Sequence, residues 1–253
     1  MAFAALVLAG CGSNGHRLTA EGTAQLTVFA ASSLTGAFTE IGKAFEANHP
    51  GTKVTFEFGS SGDLAPQIES EGTADVFASA SPTYMDDVQR KVGASARIDF
   101  ARNKLVVITP LDDPIGVKTL RDLARPGVQV VLAAPGVPVG DYARQALASA
   151  GIEKQVLANL VSNEEDDTSL VAKITAGEAD AAIVYTSDVT SDVAPQLRAI
   201  SIPAHDNVVA TYPIAVVKGS PHPRLAQTFV DYVTRVAGQD TLRNFGFLPP
   251  PPA

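Results

Sequence analysis

Two serine pairs sit where a short apolar strand pattern gives way to a helical one. Ser32-Ser33 follows Leu26-Thr27-Val28-Phe29-Ala30 and precedes Leu34, Phe38, Ile41 and Phe45 at helical spacing. Ser60-Ser61 lies in Gly59-Ser60-Ser61-Gly62, between Val54-Thr55-Phe56-Glu57-Phe58 and a helical run carrying Leu64 and Ile68. A serine at such a junction can cap the helix with its hydroxyl. It can also face the unpaired N–H groups at the positive end of the helix dipole, where a small anion is held by neutral donors. One such turn reads as an ordinary cap. Two in close succession favour an anion seat.

Serine is also a nucleophile, so a hydrolase or acyl transferase using Ser33 or Ser61 has to be weighed. The chain has no GxSxG elbow and no SxxK, and none of its four histidines, His16, His49, His205 and His222, lies in a segment near either turn. The scattered histidines and the single cysteine also give no spacing for a zinc site, and one cysteine allows no internal disulfide. Gly10-Cys11-Gly12-Ser13-Asn14-Gly15 matches GxGxxG formally, but it has neither the strand before nor the helix after that dinucleotide binding requires. No cofactor is expected.

The elements that position the serines belong to a folded α/β chain. With 253 residues, 45% of them hydrophobic, there is enough apolar surface for one large core or two modest ones. The net charge of -8 and the absence of a basic run exclude nucleic acid as a partner. The overall field also repels anions, so any bound anion depends on local donors. Strand and helix patterns alternate through Asp75-Val76-Phe77-Ala78 and a helix that Ser81-Pro82 starts, with Met85, Val88 and Val92 as its apolar stripe. Alternation of this kind predicts a mostly parallel sheet covered on both faces, with ligands at the carboxyl ends of its strands.

A second run of the same type opens at Leu105-Val106-Val107-Ile108. It continues through a helical Thr119–Leu123, the strand Val128–Leu132, the turn-rich Pro135–Gly140 and a helix with Ala143, Ala146 and Leu147 closed at Gly151. The acidic Asn163–Asp167 follows, then a short helix with Leu170, Val171 and Ile174, and the strand Ala181–Tyr185. The acids read as a solvated face, and they also suit a helix N-terminus. Tyr212–Val217 reads as a strand, Ser220-Pro221 as a helix start, and Leu242, Phe245 and Phe247 as a last apolar patch.

Ahead of all this, Ala2–Gly10 is too short to span a bilayer, which needs roughly 20 apolar residues, but it suits the apolar part of an export signal. Leu8-Ala9-Gly10-Cys11 resembles the bacterial lipobox, which assigns the thiol of Cys11 to a lipid, and Gly12–Thr23 reads as a flexible tether. A positively charged stretch is missing ahead of it, so an upstream or trimmed start is expected.

FAASSLT, FGSSGDLAPQI, ADVFASA, GVPVGDYARQAL, ADAAIVYTSD and YPIAVV occur in this order between Phe29 and Val217. In these segments the chain resembles the molybdate-binding proteins of bacterial ABC importers, which have a two-lobed periplasmic-binding-protein (type II) fold. The resemblance implies a signal and tether over 1–23, one lobe from 24–103 plus 212–253, and a second lobe over 104–211, joined by hinge strands near Lys104 and Tyr212. It also implies molybdate or tungstate as ligand and no enzymatic activity. The molybdate donors it implies are the N–H and hydroxyl of Ser33 and of Ser61, the N–H of Val139 and of Asp167, and the hydroxyl of Tyr185, with no metal other than the oxyanion. A permease would be the protein partner, and the receptor would act as a monomer at the extracytoplasmic face of the cytoplasmic membrane or in the periplasm.

Three alternatives stay open at this stage. The family commonly has an apolar residue where this chain has Asp167, so its carboxylate is expected to turn away and cap the helix starting near Thr168. An inward carboxylate would instead favour hydrogen phosphate, whose proton it could accept. Tyr185 taken alone reads as a buried tyrosine whose hydroxyl meets a backbone carbonyl. Asp63 and Asp141 read as exposed first-turn acids, and Tyr84, Tyr142, Tyr212 and Tyr232 as packing residues. Sulfate is a second rival ligand, and a sensing domain detached from a regulator a third, less suited reading.

Overall fold

The computed structural model describes residues 24–113 and 115–252. The expectations for Cys11, the signal and the tether lie outside them. β1 (Ala24–Ala31) runs parallel to β2 (Thr52–Gly59) and to β3 (Val76–Ala78), and α1 (Thr35–Asn48), α2 (Ser61–Glu71) and α3 (Pro82–Lys91) make the connections. β3 and the second half of β1 are apolar on both faces because both faces are covered, whereas the edge strand β2 alternates Val54, Phe56 and Phe58 with Lys53, Thr55 and Glu57. Val28 and Ala30 point to the core under α1, while Phe29 between them packs with Leu64, Ile68, Phe77, Met85 and Val88 under α2 and α3. Ser81 caps α3 by accepting the Thr83 N–H at 3.3 Å, with Pro82 in the first turn, as the sequence predicts.

The long β4 (Ile98–Pro110) runs through both halves of the sheet. Its first part pairs antiparallel with β9 (Val209–Val216), from Ile98 opposite Ile214 to Lys104 opposite Val209. From Leu105 onward it pairs instead with β7 (Ala181–Tyr185) on one side and β8 (Leu197–Ser201) on the other. The second half is completed by β5 (Val130–Ala133) and β6 (Leu160–Glu164), parallel to each other and with β5 parallel to β7. Its helices are α4 (Pro138–Ser149), α5 (Glu153–Ala158) and α6 (Asp167–Thr175). α7 (Pro223–Thr234) and α8 (Val236–Asn244) return to the first half, where Phe229 of α7 meets Phe38, Phe45 and Phe56.

At the change of partners, Asn103 is fully buried and donates to the Ser187 hydroxyl at 2.8 Å. Asn207 bonds both the N–H and the carbonyl of Leu105. Backbone groups that leave one pairing before entering the next are satisfied there by side-chain amides. Several boundaries differ from the sequence expectation. Thr119–Leu123 becomes a 3-10 turn over Leu120–Ala124, and the helix expected from Ser220-Pro221 begins at Pro223, with Ser220 accepting the His222 N–H instead.

Candidate functional site

Three helix starts and one 3-10 turn face a single small cavity where the halves of the sheet meet. Ser32–Leu34 form the 3-10 turn, Ser61 opens α2, Val139 follows Pro138 at the start of α4, and Asp167 opens α6; all four line the cavity together with Tyr185. First-turn N–H groups have no acceptor within their own helix, and the three dipoles put their positive ends in one place. α4 reaches this position because residue 140 is glycine. A Cβ there would lie 2.4 Å from the Ala133 carbonyl oxygen at the end of β5. Arg144 fixes the same corner by donating to the carbonyls of Ala133 and Gly140 and to the Asn163 side chain.

The two serine pairs divide their work differently from simple caps. α1 has no side-chain cap, and the Ser33 hydroxyl lies 2.9 Å from the hydroxyl of Tyr212 on β9. Ser60 caps α2 by accepting the Gly62 N–H at 3.2 Å, which leaves Ser61 facing the cavity. Ser61 Oγ accepts the Ala80 N–H at 2.9 Å, so its own proton remains to be donated. Ser61 thus has an amide N–H as partner, while Ser33 has the Tyr212 phenol and also faces the Asp167 carboxyl. None of the residues lining the cavity is a histidine, lysine or arginine.

Tyr185 ends β7, opposite Leu105 at the point where β4 changes partners. It is 1% exposed, and its hydroxyl has no hydrogen-bond partner among the described residues, so it meets no backbone carbonyl. Burial, and after it the neighbouring Tyr212, raises its pKa well above the ordinary phenol value, so it stays a donor. A buried donor without an acceptor costs about 1–3 kcal/mol. A group carrying acceptors only, such as an oxyanion, relieves that cost.

Asp167 corrects the sequence expectation. The N-cap is Asp166, which accepts the Ser169 N–H at 2.7 Å; Asp167 lies one residue further, accepts the Thr168 N–H of the same turn at 3.1 Å and lines the cavity at only 3% exposure. Burial pushes its pKa up to about 6, against the pull of the Ser32 hydroxyl. Asp63 is exposed as expected, but Asp141 is half-buried and accepts the Gly136 N–H at 3.0 Å.

Two residues read as packing from the sequence belong to the site. Tyr212 holds Ser33, and its ring meets the Tyr185 ring edge-on at 5.9 Å between centroids. Tyr84 on α3 donates its hydroxyl across the cleft to the Gly136 carbonyl. The GVPVG turn is thereby tied to the opposite half of the molecule, and Gly62 lies so close to Gly136 that a Cβ would come within 2.4 Å of its oxygen. No local signal marks either tyrosine, because both partners are distant in the chain.

Residues 26–248 match the family of bacterial extracellular solute-binding proteins. The chain is 40% identical over 249 residues to the molybdate-binding protein ModA of Mycobacterium tuberculosis, covering 96% of this chain and 93% of the relative. The chain belongs to the ModA molybdate-binding protein family. The Escherichia coli ModA protein is 32% identical over 241 residues, covering 92% of this chain and 91% of the relative. The Azotobacter vinelandii periplasmic molybdate-binding protein has the same fold, with a TM-score of 0.79 at 19% identity over 89% of this chain and 100% of that one. So does the sulfate-binding protein SubI of Mycobacterium tuberculosis, also at 0.79 with 17% identity, covering 89% of this chain and 87% of that one. The ModA family is thus set on a scaffold shared by receptors of different tetrahedral anions.

Proposed function

We propose that this protein captures molybdate, and tungstate with it, outside the cytoplasmic membrane and delivers it to an ABC importer. The observation that carries this is the Tyr185 hydroxyl, buried without a partner among the described residues, in a cavity also lined by serines, helix N-termini and Asp167. Membership of the ModA family supplies the identity of the ion. A dianion that carries no proton at neutral pH needs donors only. Ser33, Ser61, Val139, Asp167 and Tyr185 supply hydroxyl and backbone N–H groups, each charge-assisted bond contributing about 1.5–3 kcal/mol.

The cavity draws on two lobes, 24–103 with 212–253 and 104–211, which close over the ion. The change of partners in β4 between Lys104 and Leu105 supports this division, and on the return strand pairing with β4 begins at Val209. The family's transport role and the lipobox at Cys11 support a lipid-tethered monomer that presents the closed form to a permease. The two serines act as ligand donors: Ser61 accepts the Ala80 N–H, Ser33 lies against the Tyr212 hydroxyl and the Asp167 carboxyl, and no histidine or lysine lines the cavity to serve as general base.

Titration calorimetry against molybdate, tungstate, sulfate and phosphate tests this reading. Tight molybdate binding with weak or no sulfate binding is expected. Sulfate or phosphate binding with none for molybdate rejects it. A second reading, hydrogen phosphate, is favoured by one observation, the Asp167 carboxyl in the cavity wall, and the phosphate titration decides it.

A further inference from the structure

The carboxyl of Asp167 is a group that a site built only from donors does not require. It lies in the wall of the cavity at the first turn of α6, 3% exposed, where it accepts the Thr168 N–H at 3.1 Å but meets no cationic side chain among the lining residues. From the Ser32–Leu34 turn the hydroxyls of Ser32 and Ser33 face it, and from its own turn the Asp166 carboxylate does. β7 and the turn after it bring Tyr185 and Asp188, and β9 brings Tyr212. Asp188 is engaged elsewhere, accepting the Tyr185 N–H at 2.7 Å. An ionised Asp167 beside a dianion would leave two unbalanced negative groups in a dry site, and it would draw the Ser32 and Ser33 hydroxyls away from the ligand.

We propose that oxyanion capture by this protein is proton-coupled: one proton from solvent is taken up with the anion and held between the Asp167 carboxyl and an oxygen of the ligand. This rests on the capture reading above and adds its protonation chemistry. The proton converts the carboxyl from an acceptor into a donor, cancels one negative charge and returns the serine hydroxyls to the ligand. No bond to the metal centre of the anion forms or breaks. The raised pKa of Asp167 fits, because a carboxyl already disposed to protonate near pH 6 gives up little to stay neutral in the complex. The same proton makes Asp167 a specificity residue. A carboxyl donates most strongly to the more basic oxygens, so molybdate and tungstate gain more from it than sulfate, the weakest base among them.

The test is calorimetric titration of the protein with sodium molybdate in buffers of different ionisation heat, repeated across pH 5.5 to 8. About one proton taken up per molybdate at the alkaline end is expected, with affinity falling about tenfold per pH unit above 6. Zero uptake and a flat profile in the unmodified protein overturn the proposal, and this readout needs no variant to fold. In Asp167→Asn, which keeps a donor but cannot titrate, uptake and slope should both disappear; their persistence places the proton elsewhere and also overturns it. Molybdate binding without proton uptake leaves the capture reading intact. Failure of all four oxyanions to bind at any pH removes the capture reading and this inference with it.

Discussion

Replacing Tyr185 with phenylalanine should move stability and affinity in opposite directions. In the structure the Tyr185 hydroxyl is buried and has no partner among the described residues, so it stands desolvated without compensation. Removing it relieves up to about 1–3 kcal/mol, less a small loss of packing around the missing oxygen. In the proposed complex the same hydroxyl donates to the anion, and losing a charge-assisted bond costs about 1.5–3 kcal/mol. That is about 10- to 150-fold in Kd, at 1.4 kcal/mol per factor of ten. Chemical denaturation of the free protein and calorimetric titration with molybdate measure the two halves separately. A Tyr185→Phe protein that is less stable than the parent yet binds molybdate equally well would refute the reasoning, because the hydroxyl would then be a structural group.

Ser61→Ala removes both a donor to the ligand and the acceptor of the Ala80 N–H, so stability should fall by about 1–3 kcal/mol by denaturation and molybdate affinity by tenfold or more by calorimetry. Gly62→Ala places a methyl group 2.4 Å from the Gly136 carbonyl oxygen across the cleft. The first-half fold should persist while closure is blocked, seen as an unchanged circular dichroism spectrum with a large loss of molybdate affinity. Asp167 has a folded-state pKa raised from 3.8 to about 6, so its contribution is most favourable below pH 3.8 and is lost as pH rises through about 6. Asp167→Asn should therefore stabilise the free protein by up to about 3 kcal/mol at pH 7.5, a gain that shrinks toward pH 4 in denaturant titrations.

Much of the architecture is legible in the chain because its elements are short and strongly patterned. The strands around Val28, Val107 and Ile183 are apolar on both faces, that around Val54 alternates apolar with polar residues, the Ser81-Pro82 start is chemically unambiguous, and each serine turn falls between a strand and a helix. What escapes is polar or shared. β6 alternates half-buried and exposed residues and β8 buries only Leu197, so Leu160–Glu164 and Leu197–Ser201 do not stand out as strands. Asp99, Arg102 and Asn103 interrupt the apolar pattern of β4, and its true start at Ile98 is set by pairing with β9.

Sequence alone offered the two serine turns as an anion seat, on local signals, a cap or a periodicity within a few residues; Val139, Asp167 and Tyr185 entered only through the resemblance to the molybdate-binding family. Tertiary structure decided where each side chain spends its hydrogen bonds. Ser33 meets Tyr212, 179 residues away, Tyr84 meets Gly136, and Asp166 takes the cap that leaves Asp167 in the cavity wall. Such choices depend on which donors and acceptors remain unpaired once two halves of a sheet have come together, and a linear pattern does not contain that information.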